Sequence, residues 1–156
     1  MTNAADAASR KAIEAHGRVW ALLEKPGRTV AETAAMIAAA HESLSAWEVA
    51  GGPVEVQRGN WLVARVYVDA GEAEAALDYA RRTLALTEAN RAALADFDLA
   101  FAEEIAARAY AATGDFETAR RHHAAAKALG DRIADPEDRA EFFRQFARGA
   151  WFGLAR

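Results

Sequence analysis

The 156-residue chain contains no cysteine, which excludes disulfides, thiol catalysis and cysteine-ligated metal or iron–sulfur sites. Its three prolines, Pro26, Pro53 and Pro136, all fall where a helical pattern stops or starts. No stretch alternates apolar and polar residues over a useful length, so no strand is expected. No uncharged apolar run approaches the ~18 residues that span a bilayer. The opening MTNAADAASRK has no basic segment leading into an apolar core, which argues against a secretory signal and for a cytoplasmic location. An excess of positive charge is missing too. The formal net charge is −4, whereas a nucleic-acid protein normally carries a basic face. Neither nucleic acid nor a membrane is an expected partner. Lysine is scarce beside arginine; genome composition is the first reading of that bias, and recognition of phosphate or carboxylate the second.

What remains is 53% apolar and 27% charged, the balance of a globular chain with room for one hydrophobic core. Much of the apolar share is alanine, which favours helix and close helix packing. Seven helices are expected. The first covers 4–24, with Ile13, His16, Trp20 and Leu23 on one face, and Pro26-Gly27 stops it. Thr29 with Glu32 has the spacing of a capping box and opens a second helix to about Ala50. Its expected inner stripe is Val30, Ala34, Ile37, His41, Leu44 and Trp47. Gly51-Gly52-Pro53 separates it from a third helix, with glycine expected in a left-handed cap. The third helix, 53–70, buries Val54, Trp61, Leu62, Val66 and Val68, with Arg58 and Arg65 embedded in the stripe. Gly71 breaks it, and a fourth helix follows to about Glu88. Thr87 to Asp96 reads either as more helix or as a connector, and Asp96 as the cap of a fifth helix to Thr113. Gly114-Asp115 turns the chain into a sixth, ending near Leu129 with Gly130 as C-cap. Asp135-Pro136 starts a seventh, which carries Phe142, Phe143 and Phe146. The expected fold class is all-α, as stacked antiparallel helical hairpins.

An internal repeat supports that architecture. Gly71 and Gly114 stand 43 positions apart. Four residues before each glycine is a tyrosine, Tyr67 or Tyr110. Seven before is Ala64 or Ala107, and five after is Ala76 or Ala119. Small residues let two helices approach closely, tyrosine fills the space beside the turn, and glycine takes the turn geometry. This phrase resembles the tetratricopeptide repeat, although the repeat here is longer than that family's roughly 34 residues. The likeness is good over 53–130, and 4–50 matches as a helical pair of similar shape. Arg58-Gly59-x-Trp61 and Asp96-Phe97-Asp98-Leu99-Ala100 also resemble small uncharacterised tetratricopeptide-like proteins of actinobacterial type. The resemblance implies a domain spanning 1–156, with hairpins at 4–50, 53–88 and 97–130 and a capping element at 136–156. It also implies a concave face, formed by the first helix of each pair, that binds a peptide or protein partner.

The informative polar residues are those inside apolar stripes: His16, His41, Arg58, Arg65, Asp98 and Glu104. Burying such groups unpaired costs several kcal/mol, so they should meet partners. One reading is a structural network that joins helices. The other is a pocket in which Arg58 and Arg65 grip a carboxylate or phosphate, Trp61 and Tyr67 supply stacking surface, and His41, Asp98 or Glu104 sets orientation or acts as a base. His122 and His123 are adjacent, so they point ~100° apart on a helix and read as surface residues. The chain has no His-Glu-x-x-His or Glu-x-x-His, no Gly-x-Ser-x-Gly and no phosphate loop. The sequence therefore implies no metal and no cofactor. The leading expectation is a noncatalytic binding protein for a peptide, a partner protein or a second copy of itself. The alternative is a small-molecule site or enzyme built from His41, Arg58, Trp61, Arg65 and Glu104. The C-terminal aromatics are expected to cap the stack, with a dimer contact as the alternative.

Overall fold

The computed structural model describes residues 3–154; residues 1–2 and 155–156, the ends of the expected domain, lie outside it. Among the described residues the chain forms α1 (Ala4–Leu23), α2 (Val30–Ala50), α3 (Pro53–Ala70), α4 (Ala73–Ala89), a short 3₁₀ turn (Arg91–Ala93), α5 (Asp96–Ala112), α6 (Phe116–Asp131) and α7 (Pro136–Ala147). No strand occurs among them, and none of these helices is long and apolar enough to cross a membrane. The fold is all-α, a stack of helical hairpins. The pairs α1/α2, α3/α4 and α5/α6 pack against each other in chain order, and α3 also lies against α5. Then α7 packs against α5 and α6 of the last hairpin.

Local chemistry sets the boundaries. Thr29 and Glu32 form the reciprocal capping box at the start of α2, each side chain accepting from the other's backbone N–H at 3.1 Å. Gly71 and Gly114 adopt φ of +76° and +86°, a conformation that costs an ordinary side chain ~1–2 kcal/mol. The two turns are alike in their bonding. Glu72 N donates to Tyr67 O at 2.9 Å, and Asp115 N to Tyr110 O at 3.0 Å. The repeated alanines Ala64, Ala107, Ala76 and Ala119 are all fully buried.

Four expectations need correction. Gly51 and Gly52 are extended rather than left-handed, with φ of −92° and −95°. Gly51 is needed for space instead: a Cβ there would sit 2.7 Å from that of Glu55. Gly130 does not end α6 but lies inside it, where a Cβ would meet Phe142 at 2.3 Å. The inner faces of α1 and α2 are also rotated from the expected stripes. Ile13 is 62% exposed and Val30 90%, while Ala12, Ala15, Val19, Met36 and Ala40 are fully buried. Alanine lets these helices close along their smallest side chains, and Ser43 Oγ donates to Ala12 O at 2.9 Å across the contact. In addition, Asp96 does not cap α5. Ala95 holds the N-cap position, with its N–H given to Asp98 at 3.0 Å, while Asp96 accepts from Ala134 N in the α6–α7 loop at 3.0 Å.

Candidate functional site

A row of aromatic rings runs through the first helix of each hairpin. Trp20 on α1 stacks on Trp61 of α3, with ring centroids 6.3 Å apart. Trp61 meets Phe101 of α5 edge-on at 5.5 Å, and Phe101 meets Phe142 of α7 at 5.0 Å. The indole Nε1 of Trp61 donates to Phe101 O at 3.2 Å, which fixes its rotation. Along this row lies a cavity of about 260 Å³, with walls formed by Trp20, Trp61, Phe97 and Phe101 and polar groups from Gln57, Arg58, Asp98 and Gln145. Every first helix and α7 contribute to it. His16 stands at its mouth, with its imidazole held below the ordinary value by partial burial.

Arg58 and Asp98 form a two-point pair on the groove wall, with Nε and Nη2 each donating to a carboxylate oxygen at 2.9 Å. Asp98 is 4% exposed. Its hydrogen bonds push the Arg58 guanidinium further above its ordinary value. The guanidinium also covers the Phe97 ring at 5.1 Å. A carboxylate so engaged, and also capping α5, is not free to act as a base.

The remaining candidates are elsewhere. Arg65 lines a second cavity of about 410 Å³, with Trp20, Leu23, Glu24, Asp69, Arg144, Gln145, Arg148 and Gly149. It donates to Asp69 at 3.2 Å and to the Gln145 side chain at 3.3 Å. His41 lines neither cavity. It bonds the Tyr67 hydroxyl at 2.8 Å and meets the edges of Tyr67 and Tyr79. Burial, helped by the Arg82 charge, lowers its pKa, and burial raises that of Tyr67. A neutral imidazole and a neutral phenol therefore share this bond, and the imidazole tautomer sets which of them donates. Glu104 is fully buried and pairs with Arg108 one turn on. The five residues of the expected small-molecule pocket thus do not converge. Trp61 and Arg58 share the groove, Arg65 belongs to the neighbouring cavity, and His41 and Glu104 are inside the packing.

Several residues here escape a sequence reading. Gln57, Phe97, Phe101 and Gln145 line the groove, and Arg108 organises the C-terminus. Arg108 donates to the carbonyls of Ala150, Gln145 and Arg148 at 2.9, 2.9 and 2.7 Å and stacks on Trp151 at 4.1 Å. The repeat held a signal for it. At the 43-residue spacing Arg108 is the counterpart of Arg65, and both grip Gln145 of α7, one by its side chain and one by its carbonyl. His122 and His123 are half-buried rather than superficial. The first stacks parallel to Tyr110 at 5.4 Å and bonds Glu103 at 2.5 Å. The second packs between Phe146 and Trp151. Their different directions on α6 send one to α5 and the other to the tail. Among the described residues no three His, Asp or Glu side chains gather closely enough to hold a metal ion. No family model, curated protein or solved structure matches the chain.

Proposed function

We propose that the chain is a noncatalytic binding protein of tetratricopeptide-like type that holds a segment of a peptide or partner protein in its aromatic groove. One observation carries this reading. The groove is walled by one helix from each hairpin and rimmed by charges that are already paired with each other. Aromatic surface that remains accessible between paired charges supports recognition of an apolar side chain. Of the bases that the sequence offered for catalysis, His41, Asp98 and Glu104 each have a structural partner. At about 260 Å³ the groove is also smaller than the ~300–1,000 Å³ typical of drug-sized ligand sites, so it suits one large side chain.

Selection from a random peptide display library tests the proposal. The expected winners carry an aromatic or large aliphatic anchor, and they lose at least about tenfold in affinity against Trp61→Ala and Phe97→Ala proteins, as hot-spot truncation does. Phe97 is half-buried at the rim, so that variant keeps the test valid if loss of Trp61 unfolds the chain. Failure to enrich any peptide, or enriched peptides that ignore both substitutions, would overturn the reading.

A further inference from the structure

The groove does not end at its aromatic walls. The 410 Å³ cavity beside it shares Trp20 and Gln145 with it. Arg65, Arg144 and Arg148 line this second space with Glu24 and Asp69, and Glu141, the partner of Arg144, lines the groove beside it. Within the cavity lining the arginines outnumber the acids by three to two, in a chain whose net charge is −4. The two helix ends beside the cavity would ordinarily add negative character. Here arginines occupy both. Arg28 donates to the carbonyls of Leu22 and Leu23 at the end of α1, at 3.0 and 3.1 Å. Arg108 does the same for Gln145 and Arg148 at the end of α7.

The pairing within the cavity is loose. The bonds of Arg65 to Asp69 and Gln145, at 3.2 and 3.3 Å, are longer than the ~2.7–2.9 Å of a good charge-assisted contact. Its side chain is only 13% exposed, so water screens it weakly. Arg144 pairs with Glu141 on its own helix at the surface, an exposed contact worth ~0–1 kcal/mol that an arriving carboxylate can replace. The carbonyl of Arg148 is tied to Arg108, which fixes the point from which its side chain starts.

We infer, on the basis of the groove reading, that the bound segment is acidic: an apolar anchor enters the aromatic groove while a neighbouring carboxylate enters the arginine-lined cavity. Trp20 and Gln145 border both spaces, so anchor and carboxylate belong to adjacent stretches of one ligand.

Three amidated, fluorescein-labelled five-residue peptides test this, each with a central tryptophan flanked on both sides by glutamate, glutamine or lysine. A fourth replaces the tryptophan of the glutamate peptide with alanine. Anisotropy titrations with the full chain should rank glutamate over glutamine by about tenfold and lysine last, with the gap closing between about 50 mM and 500 mM salt. Replacing Arg144 and Arg148 together with glutamine should bring the glutamate peptide down to the affinity of the glutamine peptide. Equal affinity for all three tryptophan peptides, with loss for the alanine peptide, would overturn the acidic preference and leave the groove reading standing. Undiminished binding of the alanine peptide would overturn the groove reading itself, and no binding by any peptide would overturn both.

Discussion

Replacing Arg108 with methionine should be the most damaging single change in the molecule. Glu104 is fully buried and Arg108 is 2% exposed. The second oxygen of Glu104, Oε2, has no hydrogen-bond partner among the described residues. Arg108→Met would leave that carboxylate deep in the stack with no cation. Removing one partner of a buried pair costs about 3–5 kcal/mol. The carbonyls of Arg148 and Ala150 belong to exposed residues and can turn to water, so their loss adds little. For a chain of 156 residues, each kcal/mol lowers the melting temperature by about 2–4 °C, which gives a fall of about 6–20 °C.

Urea unfolding followed by circular dichroism would measure the loss, and a double-mutant cycle with Glu104→Leu would assign it. The double variant should recover at least about 1 kcal/mol relative to the sum of the single changes, because both charges are then gone. Limited proteolysis gives a second readout: cleavage around Arg148 should accelerate in Arg108→Met, since that side chain holds the tail to α5. A loss under about 1 kcal/mol, or a coupling energy indistinguishable from zero, would refute the claim that this pair is buried and mutually dependent.

Three other outcomes follow from particular contacts. Gly130→Ala should destabilise by about 1–3 kcal/mol in thermal melts despite alanine's better helix propensity, because its Cβ would press on the buried Phe142 ring; a gain in stability would contradict that packing. Gly71→Ala meets no neighbouring atom yet should still cost about 1 kcal/mol, from its φ of +76° alone, and a neutral result would mean that the turn relaxes. His41 should titrate below 6.5 in an NMR series. Its lowered pKa means the folded state binds fewer protons than the unfolded chain, so its contribution is intact above 6.5 and is lost as pH falls through the folded value. A measured pKa above 6.5 would contradict the burial of this ring beside Arg82.

The helices were legible because their ends are chemically marked. Pro26-Gly27, Thr29 with Glu32, Gly71, Gly114 and Asp135-Pro136 all act within one or two residues, and each sits at a boundary in the structure. The inward faces of α1 and α2 were not legible, for the opposite reason. In a helix such as α2, alanine occurs on every side, so the pattern of large side chains no longer identifies the buried face. Gly130 misled in the same way, since a glycine needed for close approach looks in sequence like one needed for a turn.

The candidate site was legible only in part because repeat equivalence and spatial contact follow different spacings. The turns recur every 43 residues, yet Arg58 meets Asp98, and Trp61 meets Phe101, at a separation of 40. The three-residue difference corresponds to a shift of about 4.5 Å along the helix axis at 1.5 Å per residue. Aligning the repeats therefore sets Trp61 beside Glu104, whereas stacking sets it beside Phe101. That shift, nearly one turn, separates the two uses of polar residues seen here. Glu104, the counterpart of Trp61, pairs with Arg108 and becomes structural, while Asp98, in the first turn of the same helix, reaches the groove wall. Helix α7 itself lies outside the repeat, although two repeat-equivalent arginines hold it. Gln145 borders both the groove and the arginine-lined cavity, and there Arg65 and Arg108, at equivalent positions of consecutive repeats, hold its side chain and its carbonyl.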